Sequence, residues 1–219
     1  GIEVSFASSA SAPYFSLTDS VFTGCKVKTF AGGAVYAYLA VSPVLFLIDN
    51  CEFKQNYSTG GGSSIFAEAT LTLLQGSKIS NCKFHENEDK TNGTLSIVLS
   101  SELVIEGCSF YNNKASSSVI EILLVSDLSK LTIRNTKFFM NSVESALKSK
   151  GLTSAGALLL DGVSFERNSV VLTLSSEKGN VFITNCSFLE NSGPASFTSV
   201  VASIADTKFI KNLSTDRAG

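Results

Sequence analysis

The segment Ile48-Asp49-Asn50-Cys51-Glu52-Phe53-Lys54-Gln55-Asn56 carries a pattern that recurs along the whole 219-residue chain. Its centre is the tetrad Phe-x-x-Asn, which occurs seven times, and an eighth copy keeps the Phe but has Cys25 in place of the Asn. Successive Phe residues lie 21 to 31 positions apart, a spacing typical of repeat architectures. The repeated residues are Phe22, Phe53, Phe84, Phe110, Phe138, Phe165, Phe188 and Phe209, with Asn56, Asn87, Asn113, Asn141, Asn168, Asn191 and Asn212.

Three further columns of residues are aligned with each Phe. An aliphatic residue stands five positions before it, Asn, Asp or Gly three positions before it, and a small residue two positions before it. Asn, Asp and Gly tolerate a positive φ, so their column predicts a one-residue corner between two strands. Side chains alternate along a strand, so the aliphatic residue, the small residue and the Phe are expected to point inward. The corner residues are Asp19, Asn50, Asn81, Gly107, Asn135, Gly162, Asn185 and Asp206.

Each repeat contains about three short β-rich stretches separated by bends, with almost no helical pattern. One such unit cannot bury its inner face alone, but stacked units pair their strands in parallel and place like residues on like. The sequence therefore predicts an all-β fold: a right-handed parallel β-helix (solenoid) of about eight coils of 21–31 residues. A stack of Phe rings and a ladder of Asn amides would fill its interior. A β-propeller would need blades of about 40–50 residues, and a leucine-rich horseshoe would need a helix in each repeat.

We expect residues 1–219 to form a single β-helix segment, excerpted from a longer solenoid with both ends uncapped.

Composition excludes several classes of function. The chain has 17 Lys and Arg residues against 19 Asp and Glu residues, and this net charge of −2 argues against nucleic-acid binding. No apolar run approaches the roughly 20 residues of a membrane span. A single His and the absence of Cys-x-x-Cys disfavour zinc, so we expect no metal and no cofactor.

Five cysteines are an odd number, which excludes complete pairing within the chain. Four of them occupy the small-residue column, where we expect buried space-filling side chains. Side chains stacked on neighbouring coils would run parallel, which is a poor geometry for a disulfide, so the pattern favours free thiols. These residues are Cys25, Cys51, Cys82, Cys108 and Cys186.

Many β-helices cleave acidic polysaccharides, so a catalytic site must be sought. Asp49 and Glu106 share an outward column two coils apart, within the roughly 5–9.5 Å that glycoside hydrolases use. Ser80 lies between them and Arg134 neighbours Glu106, which indicates a charge-balanced face instead. His85 follows Phe84 at an outward position, and we expect a solvent-facing imidazole rather than a general base. No catalytic residue is predicted.

The position after each Phe predicts a candidate contact stripe. Tyr111 would lie beside Phe139, and Leu189 beside Ile210, as exposed apolar pairs on neighbouring coils. Such stripes mark contacts with partners more often than chance, although neighbouring loops that fold over them would explain them equally well.

Outward charges should alternate in sign if the coils stack in this register. Glu52 would lie over Lys83. Two longer series follow on consecutive coils: Glu106, Arg134 and Asp161, and Arg167, Glu190 and Lys211.

Four N-glycosylation sequons occur, at Asn56, Asn92, Asn185 and Asn212. Such triplets also arise by accident in a chain rich in Ser, Thr and Asn. Asn56 and Asn212 belong to the inward ladder and are expected to resist modification. Asn92, in a turn beside Gly93, is the sequon that we expect to be used if the protein is secreted from a eukaryote.

The Phe-x-x-Asn tetrads, with Gly-Gly-Ala-Val-Tyr at residues 32–36, resemble the repeats of chlamydial polymorphic outer membrane proteins. Those repeats combine FxxN with GGA[ILV] in a pectin-lyase-like right-handed β-helix, and similar repeats occur in large surface proteins of some protists. The Phe-x-x-Asn half extends from Leu17 to Asn212, whereas the glycine half is complete once and partial at Gly60–Ile65. The resemblance implies a cell-surface, adhesin-like role with no catalytic residues to transfer.

These features predict a non-catalytic structural or adhesive module, at the cell surface or outside the cell, built as a rigid rod of about 35–40 Å. Its partners would be other protein chains, further coils of the same protein, or glycans. Two alternatives stay open: a β-helix enzyme of the polysaccharide lyase or hydrolase type, and an intracellular scaffold in a large assembly, which free cysteines would favour.

Overall fold

A computed structural model of the chain describes residues 1–5, 14–39, 43–69, 73–152, 156–176, 179–193, 195–198 and 201–213. Within these ranges all of the regular secondary structure is β-strand. The first half of the chain contains β1 (Ile2–Ser5), β2 (Tyr14–Thr18), β3 (Val21–Thr23), β4 (Lys26–Val27), β5 (Val35–Tyr38), β6 (Leu45–Asp49), β7 (Glu52–Lys54), β8 (Tyr57–Ser58), β9 (Ile65–Ala69), β10 (Lys78–Ser80), β11 (Lys83–His85), β12 (Glu88–Asp89), β13 (Gly93–Leu99) and β14 (Glu102–Glu106).

The second half continues the same alternation of longer and shorter strands. It contains β15 (Ser109–Tyr111), β16 (Lys114–Ala115), β17 (Ser118–Leu124), β18 (Lys130–Arg134), β19 (Lys137–Phe139), β20 (Ser145–Leu152), β21 (Ala157–Asp161), β22 (Ser164–Glu166), β23 (Leu172–Ser176), β24 (Asn180–Thr184), β25 (Ser187–Leu189), β26 (Ala195–Thr198), β27 (Val201–Ala205) and β28 (Lys208–Ile210).

The strands form parallel sheets that run along the molecule. Sheet A has the order β1-β5-β9-β13-β17-β20-β23-β26, sheet B the order β2-β6-β10-β14-β18-β21-β24-β27, and sheet C the order β3-β7-β11-β15-β19-β22-β25-β28. Sheet D has four short strands in the order β4-β8-β12-β16. Each coil passes through sheets B, C and A in turn, and the first four coils add a strand of sheet D between C and A.

The predicted class, an all-β parallel solenoid, is confirmed. Seven coils contribute a strand to each of sheets A, B and C, whereas β27 and β28 supply two sides of a further coil and β1 precedes the first. The described residues therefore contain fewer complete coils than the eight repeats in the sequence. Three strands per repeat were expected, and the short strands of sheet D are an addition.

The predicted corner lies between sheets B and C, and it is confirmed in every repeat. All eight residues three positions before the Phe have φ between 48° and 63°. Because Asn, Asp and Gly enter the left-handed region at little cost, these residue types allow each coil to bend sharply there.

A second left-handed corner, which the residue types did not predict, follows each Phe by two positions. Its residues are Gly24, Gln55, Glu86, Asn112, Met140, Arg167, Glu190 and Lys211, with φ between 51° and 66°. Left-handed backbone costs an ordinary residue about 1–2 kcal/mol, so the surrounding structure must stabilise this corner. Each strand of sheet C is thus three residues long, bounded by two corners.

The eight Phe rings form one continuous stack inside the coils. Successive ring centroids lie 4.6–5.1 Å apart, with interplanar angles of at most 11°. The six central rings are at most 2% exposed. Two ring positions differ from the expectation of full burial: Phe22 is half-buried and Phe209 is 56% exposed, because each lies on the outermost described strand of sheet C and has a stacked ring on one face only.

The Asn residues form the predicted amide ladder immediately after the second corner. From Asn87 to Asn191, each Nδ2 donates to the Oδ1 of the next Asn at 2.9–3.2 Å. Each Nδ2 also donates to a Phe carbonyl of the preceding coil, as Asn113 does to Phe84 O at 2.9 Å. The Oδ1 of Asn113 in turn accepts the backbone N–H of Asn87 at 3.1 Å. Cys25 keeps only the backbone part of this pattern, since its N–H donates to Asn56 Oδ1 at 2.9 Å.

We expect Asn113→Ala to lower the free energy of unfolding by about 3 kcal/mol, because it leaves buried groups on two neighbouring coils without their hydrogen bonds. The adjacent Asn112→Gly is the matched control. Asn112 is exposed at a positive φ, so glycine there should change stability by less than about 1 kcal/mol in either direction. Urea unfolding measures both variants, and equal losses would contradict the role given to the ladder.

Candidate interaction surface

The sheet C face is the outward surface of the eight three-residue strands of sheet C. In each strand the central Phe points inward, so the two flanking residues point outward. The first flanking column consists of Val21, Glu52, Lys83, Ser109, Lys137, Ser164, Ser187 and Lys208. The second consists of Thr23, Lys54, His85, Tyr111, Phe139, Glu166, Leu189 and Ile210.

The structure brings together the residues of the predicted contact stripe in two separate pairs. Tyr111 is in register with Phe139, and Leu189 with Ile210, but Glu166 lies between the two pairs. Tyr111, Phe139 and Leu189 are half-buried, which is less exposure than expected. Ile210 is 45% exposed on the last described strand of the sheet. The stripe is therefore interrupted, and the Tyr111–Phe139 pair is its central apolar part.

His85 is not solvent-facing, and the expectation of an exposed imidazole is wrong. The residue is only 4% exposed although it points outward from the sheet. Its ring stacks on that of Tyr111, with centroids 4.5 Å apart and an interplanar angle of 6°. Lys54 occupies the register position on the opposite side. Alternation along a strand gives the direction of a side chain, but here the neighbouring coils cover it.

Two carboxylates approach the ring nitrogens of His85. Nε2 lies 2.7 Å from Glu52 Oε1, and Nδ1 lies 3.5 Å from Glu86 Oε1. Gln55 Nε2 donates to Glu86 Oε2 at 2.7 Å, which links the two left-handed corners of neighbouring coils. The hydrogen bond with His85 lowers the pKa of Glu52, and the hydrogen bond from Gln55 lowers the pKa of Glu86.

The predicted alternation of charges holds in part. Glu52 and Lys83 are in register, but the carboxylate of Glu52 bonds to His85 rather than to the ammonium of Lys83. Glu52 and His85 are not register partners, so this diagonal contact could not be derived from register alone.

The two charge series also pair between coils. Arg134 donates to Glu106 at 2.8 Å, and Asp161 follows Arg134 in register. Glu190 contacts Arg167 at 2.9 Å and Lys211 at 3.8 Å. These exposed pairs confirm the stacking register and contribute little stability individually.

The carboxylates considered for hydrolysis are engaged by their neighbours. Ser80 lies between Asp49 and Glu106 in register and donates to Asp49 Oδ1 at 2.6 Å. This hydrogen bond lowers the pKa of Asp49, which is the opposite of what a general acid requires. Among the described residues, no group of three or more His, Cys, Asp and Glu side chains is arranged to hold a metal ion.

Two open clefts border the sheet C face at its two corners. One, of about 260 Å³, is lined by Asp19, Val21, Asn50, Cys51, Glu52, Asn81 and Lys83. The other, of about 450 Å³, is lined by Lys26, Lys28, Gln55, Asn56, Tyr57, Glu86 and Glu88. Both mix charges of opposite sign, which suits contacts with another macromolecule better than enclosure of a small ligand.

A protein-family model described as the right handed beta helix region matches residues 4–213. The chain belongs to the right-handed β-helix family. No curated protein and no solved structure matches it. Within the part of this β-helix that the structure describes, no helix is long and apolar enough to span a membrane.

The cysteines of the β-helix are free thiols, and four of them are buried in the predicted small-residue column. Burial raises the pKa of Cys51 to about 11 and also raises that of Cys186. A hydrogen bond with the Cys108 thiol, together with burial, raises the pKa of Cys82. Cys25 is only half-buried. The buried thiols therefore act as packing groups, because the reactive species of a cysteine is the thiolate.

Further features of the β-helix escaped the sequence analysis. The second corner was missed because Gln, Glu, Met, Arg and Lys do not signal a positive φ.

Outside the main Phe stack, Phe15 stacks on Phe46 in sheet B, and Tyr36 stacks on Phe66 in sheet A, with centroids 5.3 Å and 5.6 Å apart. Their shared register in successive repeats was an available signal.

We expect one thiol of the native protein to react rapidly with Ellman's reagent and all five to react in urea. Cys25 is the reactive residue because it alone is not buried, so Cys25→Ser should abolish the rapid phase. Rapid reaction of two or more thiols in the folded protein would contradict the packing role of the buried four.

Acid should destabilise the β-helix partly through Glu52. The pKa of Glu52 is lowered in the folded chain, so its ionised form stabilises the fold above the unfolded-state value of about 4.3, and this contribution is lost as the pH falls. Between about pH 5 and pH 3, Glu52→Gln should therefore lose less stability than the wild type. Urea midpoints across this range measure the difference.

The control for that experiment is Glu144→Gln, at an exposed bend. This variant removes one carboxylate and leaves the contact between Glu52 and His85 in place, so the difference between the two variants reports that contact. If the Glu52→Gln and wild-type curves run parallel, the hydrogen bond to His85 does not contribute as described.

Proposed function

We propose that this chain is a non-catalytic β-helix module that acts as a rigid rod and joins other protein chains through the sheet C face. The observation that carries the proposal is the Tyr111–Phe139 pair, which presents two adjacent aromatic side chains at outward positions of neighbouring coils. Both are half-buried, so part of each side chain is already packed against the β-helix before a partner arrives. Aromatic side chains held in this way lose little entropy on binding and are enriched at the energetic centres of interfaces.

The residues and strands around this pair support its role as part of a rigid surface. Tyr111 rests on the ring of His85, which is held by Glu52. The strands that carry these residues are bounded by two tight corners and are hydrogen-bonded to the coils on both sides. A surface built on such strands keeps its geometry better than one built on loops.

We propose a location at the cell surface or outside the cell. The resemblance of the Phe-x-x-Asn and Gly-Gly-Ala-Val-Tyr motifs to repeats of surface proteins supports this proposal. An adhesive role would add glycans to the possible partners. Binding of the purified chain to a glycan array tests that role, and the Tyr111→Ser/Phe139→Ser variant tests whether any binding uses the sheet C face.

The proposal includes the absence of catalysis, in keeping with the engaged carboxylates on sheet B. Incubation with a panel of acidic and neutral polysaccharides should release neither reducing ends nor unsaturated products. Turnover that disappears in Glu52→Gln and His85→Gln would instead assign an enzyme to the sheet C face, since these residues form a hydrogen-bonded acid–base pair there.

An intracellular scaffold is the second candidate, and the five free cysteines favour it. Mass mapping of the protein from its native source, alkylated without reduction, separates the two locations. Free Cys25 in every molecule would support the intracellular scaffold, whereas Cys25 joined to another thiol would support an oxidising, extracellular location.

The contact proposal is tested with a second copy of the chain as the partner. We expect sedimentation velocity to detect self-association that Tyr111→Ser/Phe139→Ser weakens at least about tenfold, without a change in the urea midpoint. The matched control is Val98→Ser/Leu123→Ser, an outward apolar pair in register on sheet A. Equal weakening by both pairs, or loss of folding together with association, would contradict a specific role for the sheet C face.

A further inference from the structure

The four sequons of the chain differ sharply in what surrounds the acceptor nitrogen. Asn56 is 1% exposed, and its Nδ2 donates to Phe22 O at 3.1 Å. Asn212 is half-buried, and its Nδ2 donates to Phe188 O at 2.8 Å. Both amides belong to the ladder inside the coils, so an oligosaccharide attached to either nitrogen would exclude the side chain from that ladder.

Asn92 is held against the preceding coil. It is half-buried, and its backbone N–H donates to the buried carboxylate of Asp89 at 2.8 Å. Its Nδ2 lies 2.6 Å from the position that a Cβ on Gly61 would occupy, so the amide fills the space above that glycine. A bulky substituent on this nitrogen would have to displace the side chain from the backbone of the neighbouring coil.

Asn185 is the exposed acceptor. It occupies the left-handed corner between β24 and β25, with φ of 52°, where the side chain points away from the coil. Its Nδ2 donates one hydrogen bond, to Asp161 Oδ1 at 2.9 Å. The equivalent corner on the preceding coil is Gly162, which has no side chain to crowd the amide. Asn185 also begins the triplet Asn185-Cys186-Ser187, whereas the corner residues Asn50, Asn81 and Asn135 lack Ser or Thr two positions later.

We propose that Asn185 is the position at which the folded chain carries an N-linked oligosaccharide. In the transfer, Asn185 Nδ2 forms a bond to the anomeric carbon of an oligosaccharide donor linked to a lipid pyrophosphate. The bond between that carbon and the phosphate oxygen breaks, the lipid pyrophosphate leaves with the electron pair, and one amide proton passes to a base of the transferase. The substituted Nδ2 retains one hydrogen, so its hydrogen bond to Asp161 survives.

A glycan at this corner is compatible with contacts through the Tyr111–Phe139 pair. Asn185 lies on the seventh coil, whereas Tyr111 and Phe139 lie on the fourth and fifth. The oligosaccharide would therefore project from the edge between sheets B and C without covering the aromatic pair. The proposal requires a secretory compartment, and so it rests on the extracellular location proposed above.

The test is secretion of the 219-residue chain from cultured mammalian cells behind a cleavable signal sequence, which makes the result independent of where the protein naturally resides. Intact mass before and after peptide N-glycosidase counts the glycans. We expect one glycan on the wild type, none on Asn185→Gln or Ser187→Ala, and one on Asn92→Gln. Ser187→Ala keeps the asparagine and its contact with Asp161, so it separates loss of the acceptor signal from loss of the side chain.

Lys83→Thr is the geometric control, because it completes a sequon at Asn81. This exposed residue occupies the same corner on another coil, and its Nδ2 donates to Asp49 Oδ1 on the adjacent strand at 3.0 Å. We expect this variant to carry two glycans and to keep the wild-type urea midpoint. An unglycosylated wild type, a glycan that persists in Asn185→Gln, loss of the glycan in Asn92→Gln, or a single glycan on Lys83→Thr would each overturn the proposal.

Discussion

Each central Asn of the amide ladder bonds to two coils besides its own. Asn113 donates to the carbonyl of Phe84 on one side and to the side chain of Asn141 on the other, and it accepts the N–H groups of Asn87. This amide stands directly after a residue in the left-handed region, where most side chains are disfavoured. The ladder therefore stabilises the second corner, and the corner in turn limits sheet C to three residues per coil. That limit places each Phe over the next.

Much of this architecture was predictable because its physical causes repeat in register. The first corner follows from the tolerance of Asn, Asp and Gly for positive φ, and the inward Phe and Asn columns follow from alternation along a strand. The second corner was not predictable, because Gln55, Glu86 and Met140 have no preference for it. At this corner the hydrogen bonds of the following Asn amide stabilise the positive φ. Because the cause lies in a neighbouring residue, the type of the residue that adopts the conformation does not indicate it.

On the sheet C face, too, the sequence predicts the direction in which a side chain points but not which residues surround it. Register correctly places Tyr111 beside Phe139, but it does not reveal that Tyr111 also covers His85. The carboxylate of Glu52 reaches His85 diagonally across the strands, so a comparison of residues in one column misses the contact. Side-chain reach across neighbouring coils decides whether an outward residue is exposed, and reach depends on rotamers that a column of residue types does not specify.

Between Asn87 and Asn212, every hydrogen bond from one ladder amide to the next runs in the same direction along the axis, from the Nδ2 of one coil to the Oδ1 of the following coil. Five group dipoles are consequently aligned head to tail, and each polarises the next, which strengthens hydrogen bonds in a chain by about 10–30% per bond. These amide-to-amide bonds give the rod a polarity, because each Oδ1 accepts from the coil that precedes it. Coils in the middle of a longer array would gain more from this mutual polarisation than coils near its ends. The free energy of unfolding should therefore rise more steeply than in proportion to the number of coils.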